Sequence, residues 1–256
     1  MLDLEAIRGQ LDFERRTIAP DGCILEALPY VSRIRCADPE RHMISFSSLT
    51  GGIADAVIAE QAAHYRELGA EVEWKVYQHD GPPDLLQRVE RYGFMAGPRE
   101  TVLVLDLQEP ASWIDEPPAH AVIRIENEDH VDLYRQSAEE VFGKDHGLTA
   151  RELLSGIQKG SMRHRAYIVI ERNAAVSVGR LYTDPRSAFG GLYGGGTMEQ
   201  HRGRGFYRAT VAARARDAID FGARYLIVDA LPTSQPILEN LGFVRLTDTW
   251  PCTLSA

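Results

Sequence analysis

The stretch GGGTMEQHRGRGFYRA, residues 194–209, sets five glycines and three arginines at the junction between a strand-like segment and a helix. A glycine-rich turn at a helix entrance leaves the first helical N–H groups without intrahelical partners, and the helix dipole adds positive charge there. Gly203 and Gly205 permit close backbone approach and positive φ. Arg202, Arg204 and Arg208 supply charge-assisted donors. A turn that merely caps a helix, with its arginines solvated, would look the same in isolation, so the flanking chain has to decide between that and an anion site sized for a diphosphate.

Outward from this stretch, Phe206 to Phe221 reads as a helix with Val211, Ala215, Ala218 and Ile219 on one face and Gly222 as its C-terminal cap. GGLYGGGTM (190–198) is the strand before the turn. AYIVIERN (166–173) and AVSVGRLYTD (175–184) form a hairpin turning at Asn173. Upstream, AVIRIE (121–126) is a strand and Asp132 to Phe142 a helix carrying Leu133, Ser137, Val141 and Phe142. A second helix starts at Thr149, with Glu152 at capping-box spacing. Downstream come the strand YLIVDA (225–230), the short helix SQPILENLG and the strand FVRLTDTW.

The proline-rich segment QEPASWIDEPPAH (108–120) reads as a linker. Before it the architecture repeats: IADAVIAEQAAHYRELGAEVEWKVY (53–77) lies over FYRATVAARARDAIDFGARYLIVDA (206–230) without a gap, and GF at 93–94 matches GF at 242–243. The expected organisation is therefore a first copy at 1–107, a linker at 108–120 and a second copy at 121–256. The first copy's loop equivalent, LTGG (49–52), has no arginine.

In that order of elements the second copy resembles the GCN5-related N-acetyltransferases, whose pyrophosphate loop follows a central strand in the pattern R/Q-x-x-G-x-G/A. Arg202, Gly205 and Tyr207 fill those positions, Tyr207 where the family has a small residue. A second register, Gln200, Gly203 and Gly205, satisfies the pattern in full. The first is preferred because Thr197 to Gly205 then has the family's strand-to-loop spacing. The resemblance implies an α/β (α+β) fold of tandem domains, each a mixed, mostly antiparallel sheet flanked by helices. Only the second would bind acetyl-CoA; the first is a degenerate copy that packs and extends the sheet.

The resemblance further implies that acetyl-CoA contacts Thr197, Met198, Arg202, Gly203, Arg204, Gly205, Phe206, Tyr207 and Ser234. A primary amine of a small molecule would attack the thioester directly, at a strand that splays from its neighbour. Gly195, within the run 194–196, would offer a backbone N–H to the developing oxyanion. Glu140 is a candidate base and Tyr193 a candidate acid or base, with Glu139, Asp145, His146 and Asp229 as alternatives. Two family positions are changed: Leu238 stands where many relatives carry a tyrosine that protonates the thiolate, and Leu231 where an asparagine is common. A CoA-binding sensor or scaffold without transfer chemistry is therefore the alternative reading.

Composition narrows the partners. Apolar residues at 44% and charged residues at 25% are ordinary globular usage, which excludes disordered and fibrous classes. A formal net charge of −9 disfavours a nucleic-acid partner, yet residues 202–224 hold six arginines against two aspartates. Cys23, Cys36 and Cys252 form no CxxC pair and read as buried thiols. The histidines show no metal-ligand spacing, so no metal is expected. No signal-peptide core or membrane span is read, which makes the cytoplasm the expected location, with homodimerisation left open.

Overall fold

The structure is a computed structural model that describes residues 2–37, 40–109, 111–117, 119–161 and 163–255. In chain order the elements are α1 (Leu4–Thr17), β1 (Cys23–Ala27), β2 (Val31–Ala37), β3 (Glu40–Ser47), α2 (Ala54–Leu68), β4 (Val72–Tyr77), α3 (Leu85–Arg91), β5 (Met95–Ala96) and β6 (Glu100–Asp106). They continue with β7 (Val122–Arg124), α4 (Glu128–Phe142), α5 (Gly147–Gln158), β8 (His164–Glu171), β9 (Ala174–Tyr182), β10 (Phe189–Thr197), α6 (Phe206–Phe221), β11 (Tyr225–Ala230), α7 (Gln235–Asn240) and β12 (Val244–Leu254). Short 3-10 turns lie at Ser112–Ile114 and Glu199–His201.

The chain forms two compact units, Met1–Leu103 with Asp229–Ala256, and Val104–Val228. The divisions fall inside β6 and β11, whereas the sequence places its boundary at 108–120. The physical reason for the difference is strand pairing. Repeat matching assigns the last strand to the second copy, but β12 pairs β4 from Thr249↔Tyr77 to Leu254↔Val72 and so belongs with the first unit. Hydrophobic periodicity identifies a strand and is silent about which neighbour it chooses.

In the first unit the strand order is β1-β2-β3-β4-β12, with β5 added to β12. Pairing is antiparallel except between β3 and β4, which are parallel from His42↔Val72 to Ile44↔Trp74. α2 buries Ala54, Val57, Ile58, Gln61, Ala62 and Tyr65, a stripe at helical spacing, and ends at Gly69 in the left-handed conformation (φ 64°). Trp74, Val72, Ile44, Phe94 and Leu254 complete that core. Cys23 and Cys36 are register partners on β1 and β2 and are joined as a disulfide. This corrects the expectation of free thiols for two of the three cysteines; Cys252 is free and buried.

In the second unit the order is β11-β10-β9-β8-β7, again antiparallel except for one pair, β10 with β11. The β8–β9 hairpin turns on Arg172 (φ 49°) and Asn173 (φ 66°), a primed turn matched to strand twist. α4 starts earlier than the sequence suggests, with Asn127 Oδ1 accepting from His130 N at 2.9 Å, and buries Val131, Tyr134, Ser137 and Ala138. α5 starts at Gly147, two residues before Thr149, so the capping box is not formed. Asp145 Oδ1 instead accepts from Gly147 N at 3.0 Å. α6 has the expected bounds and ends at Gly222 (φ 92°). Val211, Ala215 and Ala218 are buried, whereas Ile219 is exposed. The proline-rich segment is not a loose tether: Trp113 and Ile114 are buried, and Arg216 Nε donates to the Ile114 carbonyl at 2.6 Å.

Asp184, buried after β9, accepts from Arg186 N (2.9 Å), Arg186 Nη2 (2.7 Å) and Arg163 Nη1 (3.0 Å). The Arg186 bonds, more than the Arg163 charge, hold its pKa down at about 2 against an ordinary 3.8. A depressed carboxylate stabilises the fold above the unfolded value and loses that contribution as pH falls through the folded one. Asp184→Asn is therefore expected to cost about 2 kcal/mol at pH 7. The deficit should shrink between about pH 4 and pH 2, which urea titrations of both proteins at several pH values would show.

Candidate functional site

β10 and β11 pair only from Phe189↔Tyr225 to Gly191↔Ile227. Beyond Gly191 the strand parts from β11, and its pairing with β9 slips between Tyr193 and Gly196. The splayed strand that the resemblance implies is thus present, bulged at the glycine run, with Gly194 at φ 49°. A side chain on each of the three glycines would crowd a different neighbour, and on Gly196 would collide outright. A Cβ on Gly194 would lie 3.2 Å from Arg180 Nε, on Gly195 3.0 Å from the Tyr207 ring, and on Gly196 within 2.4 Å of Val141.

Past Thr197 the chain turns through Glu199–His201 and enters α6 at Gly205 (φ 84°), which has no side-chain cap and no acidic residue in the following turn. Among the described residues no backbone or side-chain acceptor takes the N–H groups of Gly203 to Arg208. A cradle of free donors at the positive end of a four-turn helix is the result. His120 lies over it: its Nε2 donates to the Arg204 carbonyl at 2.7 Å, and its ring lies tilted against Phe206, centroids 4.2 Å apart. Met198 and Phe206 are buried beneath the loop with Val169 and Val176, which fixes its floor.

The three arginines separate. Arg204 is held by Glu171 through both terminal nitrogens, Nη1 at 2.8 Å, and its hydrogen bonds press the Glu171 carboxyl below its ordinary pKa. Arg208 pairs with Glu116 at 2.9 Å. Arg202 alone of the three has no carboxylate partner among the described residues. Its Nε donates to the Thr197 carbonyl at 3.3 Å, and the remaining donors are exposed.

Tyr207, in the position where a small residue is usual, packs its ring against Gly195; burial raises its pKa despite the nearby Arg214 cation. Sequence reasoning missed Arg214. It is 1% exposed, donates to the carbonyls of Thr210 (2.9 Å) and Arg180 (3.3 Å), and fills the space a Gly179 side chain would take. Burial lowers its pKa while the phenols of Tyr207, Tyr167 and Tyr134 oppose the fall. The only hint in the sequence was glycine at 179 and 195 on neighbouring strands.

Of the other candidates, Glu140 is exposed on α4 and accepts from Gln200 Nε2 at 3.1 Å, beside the turn into the loop. Tyr193 is 49% exposed on β10, two residues before Gly195. Ser234 belongs to the first unit, at the N-terminus of α7. Its Oγ donates to the Leu231 carbonyl at 3.2 Å rather than capping the helix. Thr197 to Tyr207, Gly195 and Tyr193 are therefore brought together by one strand, one turn and one helix entrance.

The matching entrance of α2 in the first unit is closed. The N–H groups of Ile53 and Ala54 donate to the Thr50 carbonyl (3.1 and 3.0 Å), and Asp55, paired with Arg88, occupies the positive end of the helix. Among the described residues one group, Asp12, His79 and Asp80, has ligand atoms close enough for a metal. The Arg15 guanidinium already bonds Asp12 at 2.7 Å and Asp80 at 2.9 Å, which supplies the positive charge there.

No protein-family model matches this chain, and no curated protein matches it in sequence. Solved structures do. A GCN5-related N-acetyltransferase from Kribbella flavida superposes with a TM-score of 0.65 at 12% identity over 98% of this chain and 93% of its own. A tandem GNAT protein from the clavulanic acid biosynthesis pathway gives 0.61 at 13% identity over 95% and 87%. A conserved protein of unknown function from Staphylococcus epidermidis gives 0.66 at 12% identity over 92% and 95%.

Proposed function

We propose that this chain, which has the fold of the GCN5-related N-acetyltransferases, is an acyltransferase that uses its second unit to pass the acetyl group of acetyl-CoA to a primary amine of a small molecule. The observation that carries the reading is the open entrance of α6: six consecutive N–H groups without acceptors, Gly205 in the left-handed conformation and Arg202 free of any carboxylate among the described residues. The closed entrance of α2 argues for one donor site rather than two. In the reaction the amine nitrogen forms a bond to the thioester carbon, the carbonyl oxygen gains and then releases charge, and the C–S bond breaks to leave a thiolate. A backbone N–H of the bulge at Gly195 suits the oxyanion. The Tyr193 hydroxyl suits the thiolate proton, and Glu140 suits the proton leaving the amine.

One observation favours the sensor reading. Leu238 is fully buried, so the position that carries a proton-donating tyrosine in many relatives is closed to that chemistry. Calorimetry and thiol release separate the two. Acetyl-CoA should bind, and Arg202→Ala should weaken it by ~10- to 100-fold, the effect of losing a charge-assisted bond. Arg204→Ala should cost less than about threefold, because Glu171 already engages that guanidinium. Absence of acetyl-CoA binding sinks both readings; binding without thiol release on any amine leaves the sensor.

A further inference from the structure

The face of β9 and β10 that meets α4 holds polar groups that the proposed chemistry does not use. Arg180 on β9 is the register partner of Tyr193 on one side and of Ala166 on the other, so the three side chains line one face of the sheet. Its guanidinium lies over the bulge, with Nε and Nη2 at 3.2 and 3.3 Å from where a Gly194 Cβ would stand. Arg180 Nε is buried without an acceptor, and Arg180 makes no ion pair among the described residues. From the facing helix come Tyr134, 0% exposed, and Ser137, 1% exposed, whose hydroxyls are likewise buried without partners. Val141, one turn beyond Ser137, packs at the Gly196 end of the same bulge. The charges of Arg180 and Arg214 both act on the Tyr134 phenol.

A half-buried cation without a carboxylate, its Nε buried without an acceptor beside hydroxyls without partners, is costly unless something completes it. Arg214, on the opposite face, is completed by the backbone carbonyls of Thr210 and Arg180. The Arg180 Nε is not, and its side chain is half-buried. The missing species is an anion with oxygens to accept from a guanidinium and from hydroxyls, beside the bulge that the proposed reaction assigns to the thioester.

We infer that the acceptor is an amino-carboxylate, a small molecule whose carboxylate lies within a few bonds of the reacting amine and is received by Arg180, Tyr134 and Ser137. This rests on the acyltransferase reading. Arg180 is then the residue that sets acceptor specificity, and Tyr193 and the bulge meet the amine end.

The test compares matched acceptors with acetyl-CoA as donor: the common amino acids and β-alanine against their carboxamides and their decarboxylated amines, scored by thiol release. The wild type should use carboxylates over matched carboxamides by ~10- to 100-fold in kcat/KM, as expected for a charge-assisted contact. Arg180→Gln should erase that preference, Arg180→Lys should restore part of it, and both should bind acetyl-CoA as the wild type does. Equal use of carboxylates and carboxamides, silence toward every carboxylate, or a preference that survives in Arg180→Gln overturns the inference. In those cases acetyl-CoA binding with transfer to plain amines leaves the acyltransferase reading standing, whereas loss of acetyl-CoA binding in the wild type removes both.

Discussion

Arg214→Ala is expected to destabilise the second unit by about 3–5 kcal/mol, the largest effect of any single substitution considered. The side chain runs from α6 between the helix and β9, 1% exposed, so truncation opens a cavity that Gly179 and Gly195 have no side chains to fill. It also strips donors from the Thr210 and Arg180 carbonyls and from the Thr210 hydroxyl. Among the described residues no carboxylate pairs with this guanidinium, so the native state bears the desolvation of a charge without a counter-ion. Arg214→Met, which fills most of the volume without that charge, should therefore recover more than half of the loss. Urea unfolding of the three proteins is the measurement. An alanine variant within about 1 kcal/mol of wild type would mean that the cage of tyrosines collapses onto the vacancy.

Removing the Cys23–Cys36 bridge should cost about 3 kcal/mol in the first unit, the chain-entropy value for closing a loop of this order, here a sequence separation of 13. Cys23→Ser/Cys36→Ser should unfold at lower urea than the oxidised wild type, dithiothreitol should bring the wild type down to the variant, and the variant should ignore the reductant. A wild type indifferent to dithiothreitol would show that the bridge constrains nothing, since β1 and β2 are already aligned by their ladder. Persistent disulfides are rare in the cytosol. The bridge and the expectation of a cytoplasmic location therefore pull in opposite directions, and the midpoint potential of this pair bears on which prevails.

The elements that carry short-range signals were legible. Glycines at 69, 205 and 222 announce left-handed caps because no other residue sits there without strain, and the alternation of β8 and β9 about Asn173 announces a hairpin. The splay of β10 came from the family resemblance, which the glycine run 194–196 fits. Pairing partners were not. β12 carries the pattern of a half-buried strand whichever neighbour it takes, and Cys23 and Cys36 are unremarkable at their spacing until β1 and β2 are in register. Nor could charge counting see that Glu171 and Glu116 engage Arg204 and Arg208, because those acids lie 33 and 92 residues away in the chain. Arg180 and Arg214 read as solvated charge in a sequence. Their meaning comes from what fails to surround them.

The packing of Tyr207 on Gly195 joins two positions that lie twelve residues apart, one on a strand and one on a helix. Volume couples them: a small residue at 207 would relieve the ring contact at 195 and leave the Arg214 guanidinium, 3.2 Å away, as the neighbour that a side chain there still has to meet. Reading these two columns together, rather than either alone, would sort the descendants of this loop into lineages that a motif pattern counts as failures.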